Sequence, residues 1–346
     1  MKKRRNLPSM YLGRRRKKKS RVKPIVESAF FHKTCLFMII LSVMLVFLFG
    51  AKRYVSAQPK FKTNLQKLDF SGGELYWAKG KSRNLVLDSL ENSIKCNLPN
   101  NSDMSIVDSD IVKQVYEAIM CSPWVNEIWE VKKEYPDRIS ARFEVRKPEI
   151  AIMTGDFIVT LDSNGIILPL IFSDKVFREF NESLTEKLII VVGLKAVIVD
   201  TQDVGITVRT GENEYLSCGE IWSDARVFAA LTVSNSLKKV SKYPEFKNLK
   251  FNAINVENVG GKESLKSSDI IIDAEIVSNN RKGRRKIFSI WWGRDKEHAG
   301  FGENSVDEKF EMLRKIISSK PTLIDVSKID LRFPNIELAP VYKQDW

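Results

Sequence analysis

The segment TCLFMIILSVMLVFLFGA, Thr34 to Ala51, runs for 18 residues without a charge. At about 1.5 Å per helical residue it spans roughly 27 Å, close to the hydrocarbon thickness of a bilayer, so it reads as a transmembrane helix. Residues 1–34 hold 13 Lys and Arg against one acid, Glu27, whereas only Lys52 and Arg53 follow the run directly. Positive charge stays on the cytoplasmic side, which keeps the N-terminus inside and exports everything from about residue 52 onward. A cleavable signal peptide is the rival, since Val55-Ser56-Ala57 precedes Gln58. The 33-residue leader and the Lys52-Arg53 pair speak for an uncleaved anchor.

The same leader disposes of a nucleic-acid reading for the rest of the chain. The net charge is +13, but outside residues 1–34 there are 43 basic and 42 acidic residues, so the exported part is nearly neutral. The leader itself, MKKRRNLPSMYLGRRRKKKSRVKP, has few large apolar residues and is expected to be disordered. It serves as the topology signal; attraction to anionic lipid or nucleic acid is its alternative use.

A chain of 346 residues can hold one large or two modest domains. Two amphipathic helices are expected first: one over LVLDSLENSI, with Val86, Leu87, Leu90 and Ile94 on a face, and one starting near Asp108 or Ser109. The second has Ile111, Val115 and Ile119 in one apolar row and Val112 and Tyr116 in another. Phe61 to Phe70 is expected as a strand before them. After them comes a hairpin, CSPWVNEIWEVKKEYPDRISARFEV. Its second strand alternates Ile139, Ala141, Phe143 and Val145 with polar residues; its first offers Val125, Trp129 and Val131, with Glu127 breaking the pattern. Pro136-Asp137 suits the turn.

From Pro148 the composition turns to strands. FIVTLDSNGIILPL reads as a hairpin about Asn164-Gly165, and LIIVVGL, IIIDAEIV and KIFSIWW follow. One helix is expected over Asp224 to Lys238, with Val227, Phe228 and Leu231 inward. Another runs over Ser305 to Ile317, with Ser305 and Glu308 at capping-box spacing and Val306, Phe310, Leu313 and Ile317 on one face. The strand KIDLRF, Lys328 to Phe333, comes last.

Chemistry is sparse. His32 lies against the apolar run, which leaves His298 alone for exported work and excludes a His-based triad or a multi-His zinc site. Gly260-Gly261-Lys262 lacks P-loop spacing. Cys35, Cys96, Cys121 and Cys218 match no zinc pattern, and an odd number of exported cysteines favours buried free thiols over a Cys96 to Cys121 disulfide. No catalytic residue, cofactor or metal is expected, and the chain is not read as an enzyme. Trp124, Trp129 and Trp291-Trp292 are candidate contact aromatics; adjacency puts the last two on opposite faces of a strand.

The order of elements resembles the FtsQ/DivIB family of bacterial cell-division proteins. The resemblance rests on Pro123-Trp124-Val125, Val131, Pro136-Asp137 and Arg146-Lys147-Pro148, then FIVTLDSNGIILP, and then Gly302, Lys309, Leu313 and Ile329-Asp330-Leu331-Arg332. It covers roughly Val86 to Phe333 in order. It implies an α+β fold: a basic cytoplasmic tail (1–33), one transmembrane helix (34–51), a POTRA-like domain (60–147), a β-rich domain with helices (148–334) and a C-terminal tail (335–346).

The resemblance also implies a function, that of a bitopic scaffold of the divisome at the septum. Its partners would be FtsB- and FtsL-like single-pass proteins and other divisome components. An edge strand made of Lys328, Ile329, Asp330, Leu331, Arg332 and Phe333 would receive a partner strand, with Arg332 supplying charge and Phe333 an aromatic contact. Trp124, Val125, Trp129 and Arg142 would dock partners on the POTRA hairpin. The alternatives are a tether whose basic tail binds nucleic acid or anionic lipid, and another POTRA-type secretion or assembly factor.

Overall fold

In the computed structural model the apolar run belongs to a longer helix, α1, Lys23–Ala57, of 35 residues. It reaches back into the expected disordered leader because Pro24, its second residue, stands where a missing N–H breaks no intrahelical bond. Phe31–Ala57 is the one helix among the described residues that is long and apolar enough to cross a membrane, and its apolar window is not buried against the protein. Such a surface is stable only in a solvent as apolar as itself, and the helix satisfies its own backbone there.

The structure describes residues 23–62, 75–98, 105–202, 205–210, 214–261, 267–277, 285–296, 298, 300, 302–319, 326–335 and 337–340. Residues 1–61 and 62–346 form separate compact units. Phe61 ends a short 3-10 turn and Lys62 makes one bridge to Ser105; the rest of the strand expected over Phe61 to Phe70 lies outside the described residues.

The second unit starts with α2, Gly80–Asn97, and α3, Ile111–Met120. Val86, Leu90 and Ile94 are buried as their spacing requires. α2 begins earlier than that spacing shows because a polar contact anchors its first turn: Ser82 Oγ donates to the Phe180 carbonyl at 2.9 Å. The residue capping α3 is Asp110, which makes no side-chain cap bond, while Asp108 accepts from the Ser105 N–H at 3.3 Å. Strands β1, Val125–Glu134, and β2, Arg138–Val145, form a separate two-stranded sheet. β2 alternates as expected. β1 shifts register between Val125 and Glu127 and again between Ile128 and Glu130. An extra residue turns the rest of the strand over, so Ile128 takes the inner position, and Trp129, which the sequence pattern groups with Val125 and Val131, is turned out from them.

Next come β3 (Pro148–Thr154), β4 (Phe157–Asp162), β5 (Ile167–Ser173), α4 (Asp174–Glu182), β6 (Ile189–Val192), β7 (Val197–Gln202), β8 (Gly205–Arg209), β9 (Tyr215–Ser217) and α5 (Ala225–Val240). The chain then makes β10 (Leu249–Asn255), β11 (Ile270–Val277), β12 (Arg285–Gly293), α6 (Val306–Ser319), β13 (Val326–Asp330) and β14 (Glu337–Pro340). Nine strands form one sheet in the order β14-β13-β12-β11-β10-β6-β3-β4-β5, and β7-β8-β9 form a small sheet of their own. β3 and β10 both run parallel to β6, and β13 runs parallel to β12 across α6.

Two apolar cores use this sheet. Ile150, Ile152, Val159, Leu161 and Ile167 face the core that α5 and α6 cover. Ala151, Ile158, Leu168, Leu170 and Phe172 face the other way and pack with α2, α3, the hairpin and α4. β3 to β5 are therefore buried on both faces, and the division expected after Lys147 falls where two cores share one sheet. α4 was not expected; Phe177 and Phe180 are what it adds to the second core, and Phe172 lies 4.6 Å from Phe180 between ring centres. The cap of α5 is Asp224, which accepts from the Arg226 N–H at 2.8 Å. Phe228, expected inward, is 42 % exposed because Val227, Ala230, Leu231, Ser234 and Leu237 fill the inner face. The box at α6 is present: Glu308 accepts from the Ser305 N–H at 2.7 Å, and Ser305 Oγ from the Glu308 N–H at 3.4 Å.

Candidate docking surfaces

A sheet offers unpaired backbone groups only at its outer strands. One of them, β5, is obstructed. Its Ile167 exchanges backbone bonds with Glu220 and Gly219 at 3.1 and 2.9 Å, Pro169 in mid-strand has no N–H, and the Pro169 carbonyl accepts from Ser89 Oγ at 3.2 Å. The other is β14, which among the described residues pairs with β13 alone.

The expected edge, Lys328 to Phe333, is thus not an edge. β14 pairs Leu338 with Ile329 and Glu337 with Asp330, so residues assigned to a tail cover that strand. Ile329 and Leu331 are fully buried in the core and reach no partner. Asp330 is buried and accepts from Arg332 Nε at 3.0 Å and Nη2 at 2.7 Å, so Arg332 already has its counter-charge. What remains outward is an aromatic and cationic cluster. Lys328 Nζ stands 3.8 Å over the Trp291 ring, the Arg332 guanidinium 4.7 Å over the same ring, and Phe333 is 49 % exposed beside it. Trp292, on the opposite face, is buried.

Burial raises the Asp330 carboxyl, but the hydrogen bonds and charge of Arg332, with the charge of Lys328, outweigh it and hold the group below its usual 3.8. A depressed acid contributes stability above its unfolded value and loses it as pH falls through the folded one. Asp330→Asn is therefore expected to cost about 1–3 kcal/mol at neutral pH and to flatten the melting temperature's fall below pH 3.8. An unchanged acid limb in a series from about pH 6 to 2 would show that the pair contributes nothing.

The hairpin residues divide differently from expectation. Trp124 and Val125 are core, with Trp124 Nε1 donating to Ser89 Oγ at 2.9 Å, so neither docks a partner. Trp129 and Arg142 are exposed and line one groove of about 530 Å³ with Tyr76, between the hairpin and the β4–β5 turn. Its floor is rigid. Arg146 pairs with Asp162 at 2.9 Å, and Asp162 Oδ1 accepts from the Asn164 and Ile166 N–H groups at 2.8 Å each.

Lys309, matched in the resemblance as part of a helix, is 1 % exposed. Its Nζ bonds Glu303 Oε1 at 2.8 Å and lies 5.1 Å over the Trp292 ring. Gly293, at φ +89°, makes room for the Glu303 carboxylate, which a Cβ there would strike. Burial pushes the Lys309 ammonium down while Glu303 and Asp295 pull it up. His298 is exposed with Nδ1 2.9 Å from Asp295 Oδ1, and among the described residues no three His, Cys, Asp or Glu are grouped to hold a metal.

All four cysteines are free. Cys96 and Cys121, expected buried, are exposed at the ends of α2 and α3, while half-buried Cys218 has its thiol pushed up to about 11 by burial. The thiolate is the reacting form, so maleimide at neutral pH is expected to modify Cys96 and Cys121 at least about tenfold faster than Cys218. Equal rates, read by mass spectrometry, would place Cys218 in water.

Sequence reasoning missed β14 and Tyr76. A signal for the strand exists: Pro334-Asn335 marks a turn, and Ile336 and Leu338 alternate with Glu337 and Ala339 after it. Compared with protein-family models and with curated proteins, the chain matches none.

Proposed function

We propose that the protein is a membrane-anchored, non-enzymatic docking scaffold of the bacterial division machinery, of the kind its resemblance to the FtsQ/DivIB family implies. α1 holds it in the cytoplasmic membrane, the basic leader stays inside, and residues 62–346 act outside at the septum with the helix–helix–hairpin unit as a POTRA-type module. FtsB- and FtsL-like single-pass proteins are its partners, and one of them adds a strand to β14.

The observation that supports this most is the asymmetry of the nine-stranded sheet, one outer strand obstructed and the other, among the described residues, unpaired on its outer side. Strand addition uses the backbone for affinity and alternate side chains for choice. Leu338→Pro tests it. Proline removes an N–H; if that group faces outward the incoming strand loses a bond, and if inward β14 detaches from β13. Either way co-purification of a single-pass partner from cells is expected to fall at least about tenfold. Full retention, with normal export, would move the contact elsewhere.

A further inference from the structure

The groove beside the hairpin is lined by three cations and three carboxylates, and two of these charges, Arg142 and Glu144, have no oppositely charged partner among the described residues. Arg146 is paired with Asp162, Lys147 with Glu186, and Glu149 with Lys238 at 2.7 Å, while Glu144 accepts from Asn126 Nδ2 at 2.8 Å. Among the described residues Arg142 alone of the lining cations has no side-chain ion pair or hydrogen bond. Around it stand two aromatic side chains where water would ordinarily select polar ones: Tyr76 is 75 % and Trp129 56 % exposed. Trp129 is outside because the Ile128/Glu130 register shift puts it there, and a bulge that re-aims a side chain is a recurrent device at binding sites.

We propose that this groove receives an extended peptide segment that carries a carboxylate next to an apolar side chain. The carboxylate is taken by Arg142, whose planar fork matches it with two parallel hydrogen bonds. The apolar side chain lies against Trp129 and Tyr76, rigid aromatics of the type that anchors interfaces. One unpaired cation suits a single carboxylate better than a dianionic phosphate, since the neighbouring cations are already neutralised. The volume of about 530 Å³ is in the range of ligand sites. The inference rests on the docking reading and names the chemistry of a second contact, at the end of the sheet opposite β14.

The test uses the full chain in detergent micelles with 5-fluorotryptophan incorporated, the Trp129 fluorine resonance being assigned by its loss in Trp129→Phe. The probes are N-acetylated, C-amidated Ala-Glu-Leu-Ala and its Gln counterpart, so that glutamate supplies the only carboxylate. The Glu peptide is expected to shift the Trp129 resonance saturably and to leave buried Trp124 unmoved. The Gln peptide, and the Glu peptide on Arg142→Gln, are expected to bind at least about tenfold more weakly. Arg142 is exposed, so its variant should keep the resonances of the other six tryptophans in place. Equal binding of the Glu and Gln peptides would overturn the carboxylate assignment. A response to an N-acetylglucosamine tetramer with both peptides silent would make the groove a glycan site, and silence with all probes would remove it. None of these results bears on partner attachment at β14, which is read separately by the Leu338→Pro variant.

Discussion

Trp124→Ala is expected to lower the stability of residues 62–346 by about 3–5 kcal/mol, measured by denaturant unfolding. The ring is wholly buried among α2, α3 and the hairpin, and its Nε1 donates to Ser89. It also sits where the two strands of the hairpin close, since the Trp124 carbonyl accepts from the Arg146 N–H at 2.7 Å. Trp124→Phe keeps most of the apolar area, and Ser89 keeps its own bond to the Pro169 carbonyl, so that change should cost less than half as much. A loss below about 1 kcal/mol for alanine would mean that Trp124 is not core and would return it to the docking residues.

The second large effect belongs to Lys309. Lys309→Ala leaves the Glu303 carboxylate, itself 9 % exposed, without its cation, and the expected cost is about 3–5 kcal/mol. Pairing Lys309→Met with Glu303→Gln removes both charges and should recover most of the loss, because the desolvation of each ion is removed with it. The pH dependence has a definite sign. The ammonium's value in the folded state lies below its usual 10.5, so between those two values the unfolded chain binds more protons. Native stability attributable to this group therefore rises with pH across that window, and Lys309→Met abolishes the rise. Single and double variants that cost the same would show that Lys309 and Glu303 do not act as a pair.

What the chain order made legible was the local pattern. The uncharged run, the alternation of β2, the Asn164-Gly165 turn and the Ser305–Glu308 box each arise from neighbours within a few residues. What it hid depended on partners far along the chain. α4 shows only Phe177 and Phe180 as large buried residues, and their burial becomes meaningful once Phe172 and α2 are beside them. Trp129 does not share a face with Val125 and Val131 as its spacing predicts, because Glu127 breaks a period of two, and whether a strand absorbs such a break by a bulge is decided by its pairing. The same holds for Lys328 to Phe333. Its alternation is genuine at Ile329 and Leu331, but the identity of the outermost strand depends on residues 337–340, which pair back after a bend.

Attachment of a partner strand at β14 can be measured directly by photo-crosslinking in growing cells from p-benzoylphenylalanine placed at position 339, with the adduct identified by mass spectrometry. The expected adduct is with a small single-pass coiled-coil protein, and it is absent when the photo-residue stands on the obstructed β5 edge. An adduct-free chain at positions 337 to 340, with expression and export normal, would contradict strand addition there.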